Sequence, residues 1–140
     1  MAARGERNNN PGNIEANATK WRGLADPPVE PEGRFARFTE AKWGIRAIAR
    51  TLQSYQTKHG LRTIREVISR WAPAVENNTK GYIDRVAQDM GVTPDSRLDL
   101  FQHKNAKPLV LAIMRVELGY EPPYSDAVVE EALALAGVTP

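Results

Sequence analysis

Apolar residues in this chain follow no steady period before Thr39 and a helical one after it. Ala41, Ile45, Ile48, Leu52 and Tyr55 recur three or four positions apart, which predicts a helix capped by Thr39 and ended by Gly60. Thr63 followed by Glu66 is a capping box. It opens a short helix with Ile64, Val67, Ile68 and Trp71 facing inward until the "WAP" at 71–73. "ENNT" at 76–79 then caps a helix whose inward face is Tyr82, Ile83, Val86 and Met90, with Gly91 as its C-cap. A loop is expected up to Lys107, then a helix with Pro108 in its first turn running to about Leu118. A last helix starts at Ser125 and ends at Gly137. About five helices make the chain mainly α.

Residues 1–38 have a different pattern. Pro11, Gly12, Gly23, Pro27, Pro28, Pro31 and Gly33 break any helix, so a small irregular or β portion is expected there. "RFARF" at 34–38 alternates basic and aromatic residues, which suits a short strand with Phe35 and Phe38 near the core. The "RNNNPGN" stretch at 7–13 reads as a tight turn at Pro11-Gly12 flanked by asparagines, and residues 1–6 are the candidate disordered leader.

One charge breaks the pattern. Glu66 and Asp84 fall opposite the apolar stripes of their helices, where solvent belongs. Projected at about 100° per residue, Leu109, Val110, Ile113, Met114 and Val116 share a broad arc, and Glu117 falls near its centre. An ionised carboxylate aimed at a core costs several kcal/mol unless it is paired. Glu117 must therefore pair with an arginine such as Arg46 or Arg50, fray into solvent, or open onto a cleft. Gly119 stops the helix beside it, which favours a cleft. A carboxyl withdrawn from water keeps its proton to higher pH, the property that a general acid for glycosidic cleavage requires.

Composition narrows the classes. Hydrophobic residues make up 41% and charged residues 26% of the 140, ordinary values for one globular domain spanning 1–140. With no cysteines, disulfides and thiolate metal sites are excluded. His59 and His103 lack ligand spacing and are expected to decorate helix ends, so neither a metal nor a cofactor is expected. No apolar run approaches the roughly 18 residues of a membrane span, and the polar N-terminus is not a secretory signal. Synthesis in a bacterial cytoplasm is expected, with action at the wall or periplasm or carriage in a virion. The net charge of +2 hides an asymmetry: residues 1–70 hold 13 Lys/Arg against 7 Asp/Glu, and residues 71–140 hold 6 against 10. The basic half could favour a polyanion or simply be solvated helix faces.

"RNNNPGNI" (7–14), "WRG" (21–23), "FARF" (35–38), "WGIRA" (43–47), "LQSYQTKHGLRTI" (52–64), "RWAP" (70–73), "ENNTKGYIDRV" (76–86) and "ELGYEPPY" (117–124) together resemble a phage and prophage family of virion-associated peptidoglycan-lytic proteins. A looser resemblance links "NNPGNI", "WRG" and "LQSY" to the segment after the catalytic Glu of lysozyme-like glucosaminidases. "WAP…ENNTKGYIDRV" is similar to the closing helix of lytic transglycosylases, and "AIMRVELG" (112–119) to their helix ending in Glu-Ser, with Leu118 here in place of Ser. These resemblances imply a compact lysozyme-like domain in circularly permuted order, with the catalytic helix last.

The implied substrate is the peptidoglycan glycan strand, with Glu117 as acid and then base and Tyr82 beside it. Asn9, Asn10 and Asn13 offer donors and acceptors for N-acetyl groups and hydroxyls, with Glu76 and Asn78 completing the groove. Trp21 or Trp43 could stack on a sugar face or belong to the core. Glu15, Asp26 and Glu76 are candidates for the second carboxylate that hydrolysis needs, so hydrolysis and transglycosylation both stay open. A non-catalytic virion or wall-binding component is the alternative, with virion or tail components as protein partners. Nucleic acid is not an expected partner, because the "PAVENN" connector (73–78) between two helices is too long for a helix-turn-helix.

Overall fold

The computed structural model describes residues 2–140; Met1, the first residue of the proposed leader, lies outside the described residues. The stripe after Thr39 becomes helix α2, Ala41–His59, which buries Ile45, Ile48 and Leu52 and ends on Gly60 in the left-handed conformation. Its N-cap is Glu40 with no side-chain cap. The expected cap, Thr39, turns its hydroxyl to the carbonyl of Gly23 at 3.3 Å instead. The capping box of α3, Ile64–Trp71, is formed as expected, with Thr63 and Glu66 bonding each other's backbone N–H. Asn78 caps α4, Thr79–Met90, by accepting from Gly81 N at 3.1 Å, and Gly91 ends it.

Helix α5, His103–Leu118, begins five residues earlier than the proline suggested. Pro108 therefore sits inside the helix, where it removes the N–H that would reach back to residue 104. Tertiary contacts hold the early turn in place: His103 N bonds Thr139 O at 2.8 Å, the His103 ring meets Glu130, and Lys107 bridges Asp126 and Glu130. Ser125 caps the final α6, Asp126–Leu135.

The N-terminal part carries more structure than its prolines suggested. Arg4–Arg7 form one helical turn, α1. Strands β1, Leu24–Val29, and β2, Ala36–Phe38, pair antiparallel with a bulge between the Leu24–Phe38 and Val29–Ala36 partners. A two-stranded ribbon has only edges, so Pro27 and Pro28 are tolerated in β1. The candidate leader is held down over its described residues. Tyr120 Oη accepts from Ala3 N at 2.9 Å and donates to Glu6, and Arg4 pairs with the buried Glu30.

The described residues are mainly helical, with six helices and this small sheet. One core gathers Ile45, Ile48, Ile64, Ile68, Leu109, Ile113, Met114 and Leu133, all fully buried, from α2, α3, α5 and α6. A smaller cluster of Ala36, Phe38 and Ala47, flanked by Trp21, Leu24 and Trp43, joins the ribbon to α2. Gly44 lets the N-terminal segment lie on α2: a Cβ there would stand 2.0 Å from the carbonyl oxygen of Asn9. Among the described residues, no helix is long and apolar enough to cross a membrane.

Candidate active site

Glu117 occupies the last turn of α5, half-buried, with Leu118 turned into the core and Gly119 in the left-handed conformation (φ 80°) stopping the helix. Because α4 packs on α5, Tyr82 lies opposite, and its hydroxyl donates to Glu117 Oε2 at 2.9 Å. Asn13 Nδ2 donates to Oε1 at 3.1 Å from the other side. Both oxygens are thus held by neutral donors. Neither arginine considered as a partner reaches the carboxylate: Arg46 bonds Leu135 O and Arg50 bonds Gln53.

Tyr82 is almost fully buried, and that burial, then the charge of Glu117, then its hydrogen bond to it, push the phenol far above its usual range. Tyr82 is therefore a permanent O–H donor to the carboxylate at any physiological pH.

Asn13 is brought to Glu117 by the turn that the sequence announced. Its N–H closes the Asn10–Asn13 turn on Asn10 O at 3.0 Å, and Gly12 lets that turn pack on α2 and α3. A Cβ on Gly12 would stand 2.7 Å from Ile48 and 3.2 Å from the Trp71 ring. Asn13 carries two local costs, a φ of 50° and a buried Oδ1 without a hydrogen-bond partner. Such costs concentrate where function constrains the backbone.

Two concavities of about 650 and 600 Å³ adjoin here and share Asn77 and Glu117. The first is walled by Asn13, Glu15, Arg34, Phe35, Tyr55, Arg70, Trp71 and Glu76. The second is walled by Asn78, Tyr82, Arg85, Arg115, Tyr120 and Glu121. Glu117 thus stands where the two concavities adjoin, among amides, aromatics and charges of both signs. Glu15 and Glu76, two of the three candidate second carboxylates, lie on the first wall, and Arg34 links them at 3.0 and 3.6 Å. Asp26 is exposed on β1 and does not line the groove.

Of the residues proposed from sequence, Glu117, Tyr82, Asn13, Glu76 and Asn78 meet at this groove. Asn9, Asn10 and Trp21 do not. Asn10 is fully buried and spends its amide on Ile14 N, Ile14 O and Ala36 O, bracing the ribbon like an extra strand. Asn9 donates to Phe38 O at 3.0 Å. An amide satisfies the unpaired backbone of an edge strand well, and that use exhausts its capacity. Trp21 belongs to the small cluster behind the ribbon, and Trp43 lies there too, covered by Arg22. The tryptophan on the groove is Trp71, which periodicity had assigned inward. Its place on the last turn before Pro73 was the available signal. Arg34, Tyr55, Arg70 and Asn77 were missed, because Tyr55 read as part of the apolar stripe of its helix and the other three as ordinary surface.

No family model matches the chain. It is 37% identical over 124 residues to Protein P5 of Pseudoalteromonas phage PM2, covering 86% of this chain and 74% of that protein. The chain belongs to the P5 family. It is thus a phage-related protein.

Proposed function

We propose that this P5-family protein cleaves the glycan strand of peptidoglycan through a lysozyme-like groove, with Glu117 as general acid. The observation that carries the reading is the carboxylate at the junction of two concavities, oriented by Tyr82 and Asn13. A glycan lying along the groove would present a glycosidic oxygen to Glu117, which gives its proton to the leaving group and then recovers one as base. Tyr82 fixes the orientation of the carboxyl without competing for its proton. Asn13, Asn77 and Asn78 supply amides to sugar substituents, and Trp71 offers an aromatic face.

Arg34 bridges Glu15 and Glu76, so both carboxylates of this wall are engaged by one guanidinium rather than aimed at a water beside the scissile bond. That favours transglycosylation, in which a hydroxyl of the substrate itself attacks and no second carboxylate is required. Phage relationship supports delivery to the wall from a virion or during lysis. The test is digestion of purified peptidoglycan by wild type and Glu117→Gln, with mass spectrometry of the products. Wild type should release muropeptides carrying anhydro ends, and the variant should lose about 10²-fold or more of the rate. No release by the wild type would sink the catalytic reading and leave a wall-binding or virion component.

A further inference from the structure

We propose that Arg70, laid on the ring of Tyr55 in the groove wall, receives a carboxylate of the substrate, so that the groove selects an acid-bearing glycan over a neutral one. The inference rests on the saccharide-groove reading and names the substituent which that groove recognises.

Four arginines line the two concavities. Three are engaged by protein carboxylates: Arg34 by Glu15 and Glu76, Arg85 by Asp89, and Arg115 by Asp89 and Glu121. Arg70, among the described residues, has no ion pair and no hydrogen bond from its guanidinium. It lies instead 5.4 Å from the centroid of the Tyr55 ring. The nearest acid on its own helix, Glu66 one turn back, is turned away into the capping box with Thr63. Burial pushes the Tyr55 phenol up, so the platform under Arg70 stays neutral at physiological pH.

Stacking fixes the plane of a guanidinium while leaving its N–H edge open, and that edge matches a carboxylate through two parallel hydrogen bonds. The placement suits the wall polymer. In strands freed of their peptide stems its alternate sugars carry a lactyl ether ending in a free carboxyl group, which the stem otherwise holds as an amide, whereas a homopolymer of N-acetylglucosamine carries no acid. A cation stacked in a groove beside the reaction centre therefore separates the two at the level of binding.

The experiment compares two probes of equal length on the full chain by calorimetry. One is a tetrasaccharide of alternating N-acetylglucosamine and N-acetylmuramic acid with free lactyl carboxylates, and the other is chitotetraose. Glu117→Gln serves as the background so that neither probe is cleaved, and Arg70→Ala and Arg70→Lys are built on it. Arg70 is exposed, so both variants should melt with the background protein. Arg70→Ala should weaken the acidic probe about tenfold and leave chitotetraose unchanged, with Arg70→Lys intermediate because an ammonium cannot form the paired bonds. Esterifying the lactyl carboxyls should erase the difference between arginine and alanine. Equal loss on both probes, or no loss on either, overturns the proposal while leaving the groove reading standing. Binding of neither probe by the background protein overturns the groove reading, and this inference with it.

Discussion

Tyr82 shows how much one atom can be asked to do at Glu117. Replacing it with phenylalanine keeps the ring and its packing but removes the donor to Oε2. Tyr82→Phe should therefore cost only about 1 kcal/mol of stability. In the proposed reaction the hydroxyl orients the acid, so the turnover rate should fall about 10- to 100-fold with little change in KM. Steady-state kinetics on soluble glycan beside a thermal melt separate these effects; a large fall in melting temperature would instead make Tyr82 a packing residue. At the same scale the amides divide by capacity. Asn10 has used its donors and its acceptor on backbone, whereas Asn13 has one group left over and gives it to Glu117. The residue type that marks a sugar site also mimics a strand edge, so the sequence pattern alone could not sort Asn9 and Asn10 from Asn13.

Most caps read from local signals formed, although the expected Thr39 cap did not. The capping box at Thr63, the Asn78 and Ser125 caps and the glycine ends at Gly60 and Gly91 each need only neighbours within four residues. The misreading at Pro108 has the opposite origin. The proline argued locally for a helix start, and distant partners, Thr139 and Glu130, extended the helix past it. Contact between elements is tightest where Asn9 O meets Gly44 on α2. Gly44→Ala would favour the helix by propensity, roughly 1 kcal/mol. The added Cβ nevertheless collides with backbone at 2.0 Å, and backbone yields less than a side chain tip. The variant should lose about 1–3 kcal/mol net, read as a drop in the chemical-denaturation midpoint. An unchanged or raised midpoint would mean that the N-terminal segment does not bear on α2 in solution.

Across the whole molecule, the N-terminal segment is tied down at several points, and one of them, its tie to the ribbon, runs through a buried carboxylate. Glu30, 3% exposed, accepts from Arg4, Asn8 and Phe35 N, and the Arg4 bond above all holds its pKa down to about 2 from an ordinary 4.5. The folded value lies below the unfolded one, so between these pH values the unfolded chain binds more protons. The contribution of Glu30 to stability is complete above about pH 4.5 and is lost progressively as pH falls towards 2. Melting temperature should decline through that window in the wild type. Glu30→Gln should be less stable at neutral pH, by the order of 2–3 kcal/mol for the donors left without a charged acceptor, and its melting temperature should start lower and decline less steeply. Identical slopes for the two proteins would contradict the assignment. Asn13 reaches the groove through the same segment, so loosening it should also lower activity.

By itself the sequence determined what short-range physics controls: helix periodicity, caps, the Pro-Gly turn and the outlying position of Glu117 on its arc. Even the candidate acid was legible, because a carboxylate on an apolar face is an anomaly that three turns of helix suffice to expose. Only the tertiary structure decided which groups stand beside it. Tyr82, Asn13 and the adjacent pair Arg70 and Trp71 come from three separate segments, and their meeting depends on how helices pack and on where a proline-rich ribbon is pinned. Nothing within one turn of Arg70 distinguishes it from a solvated surface residue. What singles it out is that the other three arginines of the groove already hold a carboxylate, and that pairing is a property of the folded chain alone.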